Sequence, residues 1–333
     1  MNYSIKVRLA LIFIVMLFIP FVACNKEQEQ TVRVAEVTHS VFYAPLYVAL
    51  SKDFFKEEGL DVEVKTTWGG DKTMTALLSG GADIALTGSE SSIYVEAQGT
   101  KDSVINFAQL TQTDGTFLVS RDKIDHFTWD MLKGKAFLGQ RKGGMPQMVG
   151  EYVLKQEGID LKNDIQLIQN IDFANISGAF SSGTGDFVQL FEPTASLIEK
   201  EGKGYITASF GETSGKVPYT TFMAKKSYLA QNEETAEAFT TAIYKAQQWV
   251  ALNSAADIAK AIQSHFPDTE LAILKTSIER YKNQHSYATD PLLNQEEWDK
   301  LQKIMKASDE LPKFIPYERL VNQTIAKKVT DNH

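Results

Sequence analysis

One cysteine, Cys24, stands in 333 residues, so the chain closes no disulfide of its own and must be held by its core. Its five histidines are scattered, with no spacing that would gather metal ligands. There is no Gly-x-Ser-x-Gly elbow, no His-Glu-x-x-His helix and no phosphate loop, which removes the common signatures of hydrolase, metalloprotease and nucleotide chemistry. No metal, no cofactor and no catalytic residue is expected. Positive charge is also scarce: 34 basic residues face 42 acidic ones, a net charge of −8. Without residues 1–23, which carry Lys6 and Arg8 and no acid, the balance is −10. Such a chain is a poor candidate for nucleic acid, or for an anionic membrane surface held by charge. No solenoid-period repeat and no low-complexity tract stands out. What is present is ordinary, 43% hydrophobic and 23% charged, in a chain long enough for two domains and a sizeable core.

The longest apolar run is Leu9 to Ile19, short of the roughly 20 residues a membrane span needs. Lys6 and Arg8 precede it, and Pro20-Phe21-Val22-Ala23-Cys24 follows, the layout of an export signal over residues 1–23. The position of Cys24 resembles the lipobox of bacterial lipoproteins, although Phe21 departs from the usual leucine-like residue. Cys24 is therefore expected to be lipidated, with residues 24–30 as a polar tether and the protein on the extracytoplasmic face of the cell membrane.

The stretch Trp68–Glu90 organises the rest. Leu60–Val64 alternates as a strand, and Trp68-Gly69-Gly70 breaks it. Asp71 is placed to cap a helix starting at Lys72, with Met74, Leu77 and Leu78 on one face and Ser79-Gly80-Gly81 at its end. Ala82–Thr87 reads as a buried parallel strand ending at Gly88-Ser89-Glu90. In open α/β sheets ligands bind outside the carboxyl ends of the strands, so a small molecule is expected here.

Strands are also expected at Thr31–Val37, Val104–Gln109, Thr116–Ser120, Ala136–Gly139, Ile165–Ile168, Thr184–Leu190, Tyr205–Ser209 and Val217–Ala224. A helix runs from Pro146 to about Gln156, and the chain is helical from Glu233 onward. The late helices need partners for their apolar faces, and the first sheet is the natural one. The class is α/β, with residues 31–118 and 222–333 as a discontinuous first lobe and 119–221 inserted as a second. Two strands near Phe117–Ser120 and Tyr219–Met223 would form the hinge crossings.

The order of Gly69-Gly70, Met74, Ala76-Leu77, Ser79-Gly80, Ala82-Asp83-Ile84 and Gly88, then Leu132–Lys135, then Phe191-Glu192-Pro193, resembles ABC-transporter solute-binding proteins of the sulfonate/nitrate/taurine and thiamine-pyrimidine type. The resemblance covers nearly all of residues 31–320. It implies a type II periplasmic-binding-protein fold, a cleft between two α/β lobes, and delivery to a membrane permease with its ATPase. It leaves the ligand open between sulfonates, other oxyanions and pyrimidines. Pyrimidine-forming enzymes related to this fold carry a cysteine-rich iron-binding motif, which a chain with only Cys24 lacks.

Residue by residue, Gly143-Gly144 before Pro146 offers free N–H groups at a helix start, a ready anion site beside Arg141 and Lys142. Glu90 and Glu192 argue for a ligand that donates hydrogen bonds, although either could simply cap or open a helix. Phe42, Tyr43, Trp68, Phe191 and Tyr219 stand at strand ends, where aromatics wall a small-ligand site or pack the core. His39 is a candidate donor, and Thr113 and Asp114 either reach the cleft or make a turn. With Gly69, Gly70, Gly88 and Ser89 these complete the expected ligand set. The favoured reading is a monomeric, lipid-anchored importer component for a sulfonate-like oxyanion. The alternatives are a binding protein for a flat heterocycle and a ligand-sensing module for a membrane receptor.

Overall fold

The computed structural model describes residues 29–332; the expected signal segment, Cys24 and residues 24–28 of the tether lie outside them. Among the described residues ten strands form two five-stranded sheets. In chain order they are β1 (Gln30–Glu36), β2 (Leu60–Thr66), β3 (Ile84–Gly88), β4 (Val104–Thr111), β5 (Thr116–Ser120), β6 (Ala136–Leu138), β7 (Gln166–Ile168), β8 (Phe187–Phe191), β9 (Tyr205–Ser209) and β10 (Thr220–Lys225). The first sheet has the order β2-β1-β3-β10-β4 and the second β7-β6-β8-β5-β9.

Each sheet is mixed for the same reason. The chain enters a lobe from the cleft, where the other strands finish, so the entering strand must run against its neighbours. Thus Thr116, the first residue of β5, pairs with Phe191, the last of β8. Thr220, the first of β10, pairs with Gly88, the last of β3. The crossings themselves are the stretches 112–115 and 210–219, the second opening on the short helix Phe210–Ser214, because β5 lies wholly in the second sheet and β10 wholly in the first. The lobes therefore change hands a few residues before each expected boundary. In β3 the expected parallel pairing holds toward β1, while its other edge meets β10 antiparallel.

Three helices start at the cleft and a fourth lies outside it. These are α1 (Gly70–Leu78), α2 (Glu90–Ala97), α3 (Met145–Gln156) and α4 (Thr194–Lys200). The late helices do cover the first sheet, where Glu233–Leu252 packs on Ala44–Ser51. Two of them also reach the second lobe. Here α5 (Leu271–Asn283) packs on α4, and α6 (Gln295–Ala307) packs on both α2 and α3. Apolar cover for the first sheet is thus only part of their work, and they also tie the lobes together behind the cleft. Among the described residues, the larger of two hydrophobic clusters runs through both lobes, with Phe42, Tyr43, Tyr281 and Trp298 as fully buried members. No helix among the described residues is long and apolar enough to cross a membrane.

Candidate functional site

The carboxyl ends of β1, β3 and β8 and the starts of α1, α2 and α3 meet in a cleft of about 740 Å³ between the sheets. Of the expected ligand set, Tyr43, Trp68, Gly69, Gly70, Gly88, Glu90, Lys142, Gly143, Gly144 and Tyr219 line it. Trp68 stands at the mouth with 43% of its surface exposed. It has a left-handed backbone, φ 56°, so the chain turns sharply there and Gly69 rather than Asp71 takes the cap position of α1. Asp71 is freed from capping. Its Oδ1 instead accepts from Arg141 Nη2 at 3.0 Å, joining the rims of the two lobes.

On the opposite wall the start of α3 is partly self-satisfied. The Gly143 N–H donates to Gln147 Oε1 at 3.0 Å, so that group is not free for a ligand as the sequence suggested. The Met145 N–H instead faces across the cleft toward Glu90.

Glu90 is the feature of greatest chemical interest. It opens α2 yet is only 3% exposed. Its Oε2 has no hydrogen-bond partner among the described residues. Burial pushes its carboxyl up to about 8, although N–H groups of Glu90, Met145 and Ser91 and the Ser91 hydroxyl pull the other way. Desolvation disfavours the charged form, and no cation stands close enough to restore it. The hydroxyls of Tyr219 and Thr220 beside it are likewise buried without a partner. Unpartnered buried polar atoms are rare in folded proteins; Tyr219 has Asp114 nearby and Thr220 has Tyr43, which leaves Glu90 Oε2 as the clearest of the three.

The remaining expected residues have other partners. Phe42 is fully buried and its ring packs against Gly115, where an added Cβ would come within 2.7 Å of it; it belongs to the packed hinge, not the wall. Glu192 is fully buried, accepting from Ser196 N at 2.9 Å and from Arg280 Nη1 at 2.6 Å. It therefore caps α4 and neutralises an arginine, and the cleft does not include it. Ser89 donates to the Pro218 carbonyl, and Thr113 shares a hydrogen bond with Ser286 at 2.8 Å; both fasten the crossings. Asp114 accepts from Thr116 N at 2.6 Å, and burial pushes its carboxyl up to about 7.

His39 lies on the outer side of the first lobe. Its Nδ1 is 3.0 Å from Glu36 Oε1 and its Nε2 is 2.8 Å from the His265 carbonyl. Burial works to lower its pKa, but these two acceptors outweigh it and the net shift is upward. A strand end has two sides, and sequence position did not tell which side these groups face.

Among the lining residues that the expected set lacks are Tyr94, Phe173 and Glu310. Tyr94 stands one helical turn after Glu90 and shares its face, a signal that was legible. Phe173 sits in a short irregular turn and Glu310 follows the end of α6, and neither carries a pattern. Among the described residues no group of three or more His, Cys, Asp or Glu is placed to hold a metal ion.

The rim pair bears on opening. Both partners of the Asp71–Arg141 pair are about half exposed, with side-chain exposures of 59% and 46%, and such pairs contribute at most about 1 kcal/mol. Asp71→Ala should leave the urea midpoint nearly unchanged while shifting the ligand-free protein toward open forms, read as a larger radius of gyration by solution scattering.

A family model described as "NMT1-like family" matches residues 25–265. A protein of Bacillus subtilis (strain 168) named "Putative binding protein YtlA" is 68% identical over 331 residues, 99% of each chain. Among solved structures, the alkanesulfonate-binding protein SsuA from Xanthomonas axonopodis pv. citri, bound to MOPS, superposes with a TM-score of 0.72. It is 17% identical, over 88% of this chain and 98% of that one. The periplasmic nitrate-binding protein NrtA from Synechocystis PCC 6803 gives a TM-score of 0.70 at 16% identity, over 92% of this chain and 89% of that one. The architecture is that of the periplasmic binding proteins.

Proposed function

Because the chain belongs to the NMT1-like family, as a binding protein rather than an enzyme, we propose that it captures a small sulfonate-like oxyanion for an ABC importer. In this reading a lipid on Cys24 holds it at the outer face of the membrane. The observation that carries the ligand class is the set of donors on the cleft wall. The Tyr43, Tyr219 and Thr220 hydroxyls, Arg141, Lys142 and the start of α3 all offer donors, which is what an oxyanion requires. The names of the alkanesulfonate- and nitrate-binding structures support the same class. Closure needs a ligand that binds the closed form better than the open one, and donors divided between two lobes give that preference.

A second reading, a flat heterocycle bearing N–H groups, is favoured by the aromatic content of the wall, where Tyr43, Trp68, Tyr94, Phe173, Phe191 and Tyr219 gather. Calorimetry of short alkanesulfonates against aminopyrimidines separates the two. Binding of sulfonates alone is the expected result, and silence from both series would sink both ligand classes. Trp68→Ala should weaken a flat ring about tenfold, the worth of one aromatic contact, and a small sulfonate much less. Lipidation is read directly: palmitate labelling of the full-length protein should disappear in Cys24→Ser.

A further inference from the structure

The oxyanion reading leaves one group in the wrong place. Glu90 is a carboxyl at the centre of a cleft built from donors, and an ionised carboxylate there would repel the ligand. Nearby N–H groups and the Ser91 hydroxyl offset only part of the cost of burying Glu90, and no cation among the described residues adds to them. From its own helix it meets Tyr94, from the first loop Tyr43, and from the returning crossing Tyr219, with Asp114 behind that ring. Across the cleft stand Arg141 and Lys142, both exposed, with Arg141 already held 3.0 Å from Asp71. Glu310 and Asp71 lie on the same wall and add negative charge. No ion pair to Glu90 forms among the described residues; its Oε2 is unpartnered and the side chain is 3% exposed.

The side chain lies close against the end of β3. It folds back over Gly88, where an added Cβ would lie 2.1 Å from Oε2. Oε2 is therefore set beside the strand end where the ligand is expected, and the carboxyl has no room to retreat on that side.

We propose that Glu90 serves the closed cleft as a neutral acid, with a proton on Oε2 donated in a hydrogen bond to an oxygen of the bound oxyanion. The proposal rests on the oxyanion reading of the cleft. It turns the buried carboxyl of the site into a further donor, and it assigns the otherwise unpartnered Oε2 a role. When Glu90 is ionised, binding draws one proton from solvent; when it is already protonated, binding draws none. Burial favours the acid form near neutrality, since it pushes the carboxyl up to about 8. The sign follows: affinity is level below that value and falls about tenfold for each pH unit above it.

The test is calorimetry of the purified protein with a series of short alkanesulfonates, in buffers of different protonation enthalpy, from about pH 6 to about pH 10. The expected result is proton uptake approaching one per site in the alkaline range, with the tenfold-per-unit loss of affinity. Glu90→Gln keeps an N–H donor and has no proton to lose. It should abolish both effects and bind more tightly than the parent protein at the alkaline end. Sulfonate binding with neither proton uptake nor pH dependence overturns the role of Glu90 and leaves the importer reading standing. A loss of about a hundredfold in Glu90→Gln at neutral pH also overturns it, because it marks Glu90 as a charged acceptor. If no sulfonate binds, the oxyanion reading fails and the proposal with it. A spectroscopic measurement stands beside these: in the sulfonate-saturated protein the infrared band of a protonated carboxyl, absent from Glu90→Gln, should persist at pH 7. Its absence from the saturated parent protein at that pH overturns the proposal.

Discussion

Arg280→Ala should destabilise the protein by about 3–5 kcal/mol, the cost of leaving a buried carboxylate without its partner. Arg280 Nη1 reaches Glu192 Oε1 at 2.6 Å and Ser196 Oγ at 2.6 Å, and Nη2 reaches Glu199 at 3.0 Å. The Glu192 side chain is 0% exposed and that of Arg280 26%. Truncation leaves the carboxylate with its Ser196 hydrogen bonds, and water reaching it through the space vacated by the partly exposed guanidinium would set the loss at the lower end of the expected range. Urea unfolding measures the loss. If the cost comes from the stranded charge, Glu192→Gln in the Arg280→Ala background should recover a good part of it; no recovery would point to lost packing instead. Arg280→Lys should fall between, since one ammonium cannot copy a planar fork serving two acidic residues.

The position of this pair also explains how the molecule can open. Arg280 belongs to α5, and Glu192 lies at the head of α4 in the second lobe. Next to Arg280, the Tyr281 hydroxyl donates to the Gly115 carbonyl at 2.8 Å and accepts from the Glu192 N–H at 3.0 Å. The back of the cleft is thus tied by buried, multiply bonded groups. The front is tied by the exposed Asp71–Arg141 pair, worth a small fraction of that. A lobe rotation would break the weak tie and keep the strong one. The same stability experiment therefore tests an asymmetry: loss at Arg280 should be large, and loss at Asp71 close to nothing.

The alternating and continuous apolar runs made most of the fold legible. β5 and β9 have the bounds that their residues suggest, since a short apolar run between polar turns has few other uses. The cleft was legible where glycine clusters mark strand ends, at Gly69-Gly70, Gly88 and Gly143-Gly144. Side-chain direction was not. Phe42 and Tyr43 are adjacent, yet Phe42 is packed beneath Gly115 and Tyr43 lines the cleft. Glu90 and Glu192 both stand just after a strand, yet only Glu90 lines the cleft. What separates them is Arg280, 88 residues after Glu192 in the chain, and no local pattern can report a partner that distant. The late helices misled for a related reason: their apolar faces are evident in sequence, but α5 and α6 divide them between two lobes.

Gly88→Ala gives the second large effect and bears on the site itself. The Gly88 backbone is not left-handed, so alanine is permitted there by conformation. The obstacle is a single side chain, since the new Cβ would stand 2.1 Å from Glu90 Oε2 and 2.7 Å from its Cδ. Overpacking costs about 1–3 kcal/mol; here the obstacle is the flexible end of one side chain, which sets the cost at the low end of that range, and the group that must move is the one in the cleft. The expected outcome is a loss of stability of that size with ligand affinity reduced at least tenfold. A double-mutant cycle isolates the cause. In a Glu90→Ala background the clash is gone, so adding Gly88→Ala should cost almost nothing in stability. If Gly88→Ala costs the same in both backgrounds, the strand end itself is what requires glycine. If the cost vanishes with Glu90, then glycine is needed at the end of β3 because the carboxyl must lie against it.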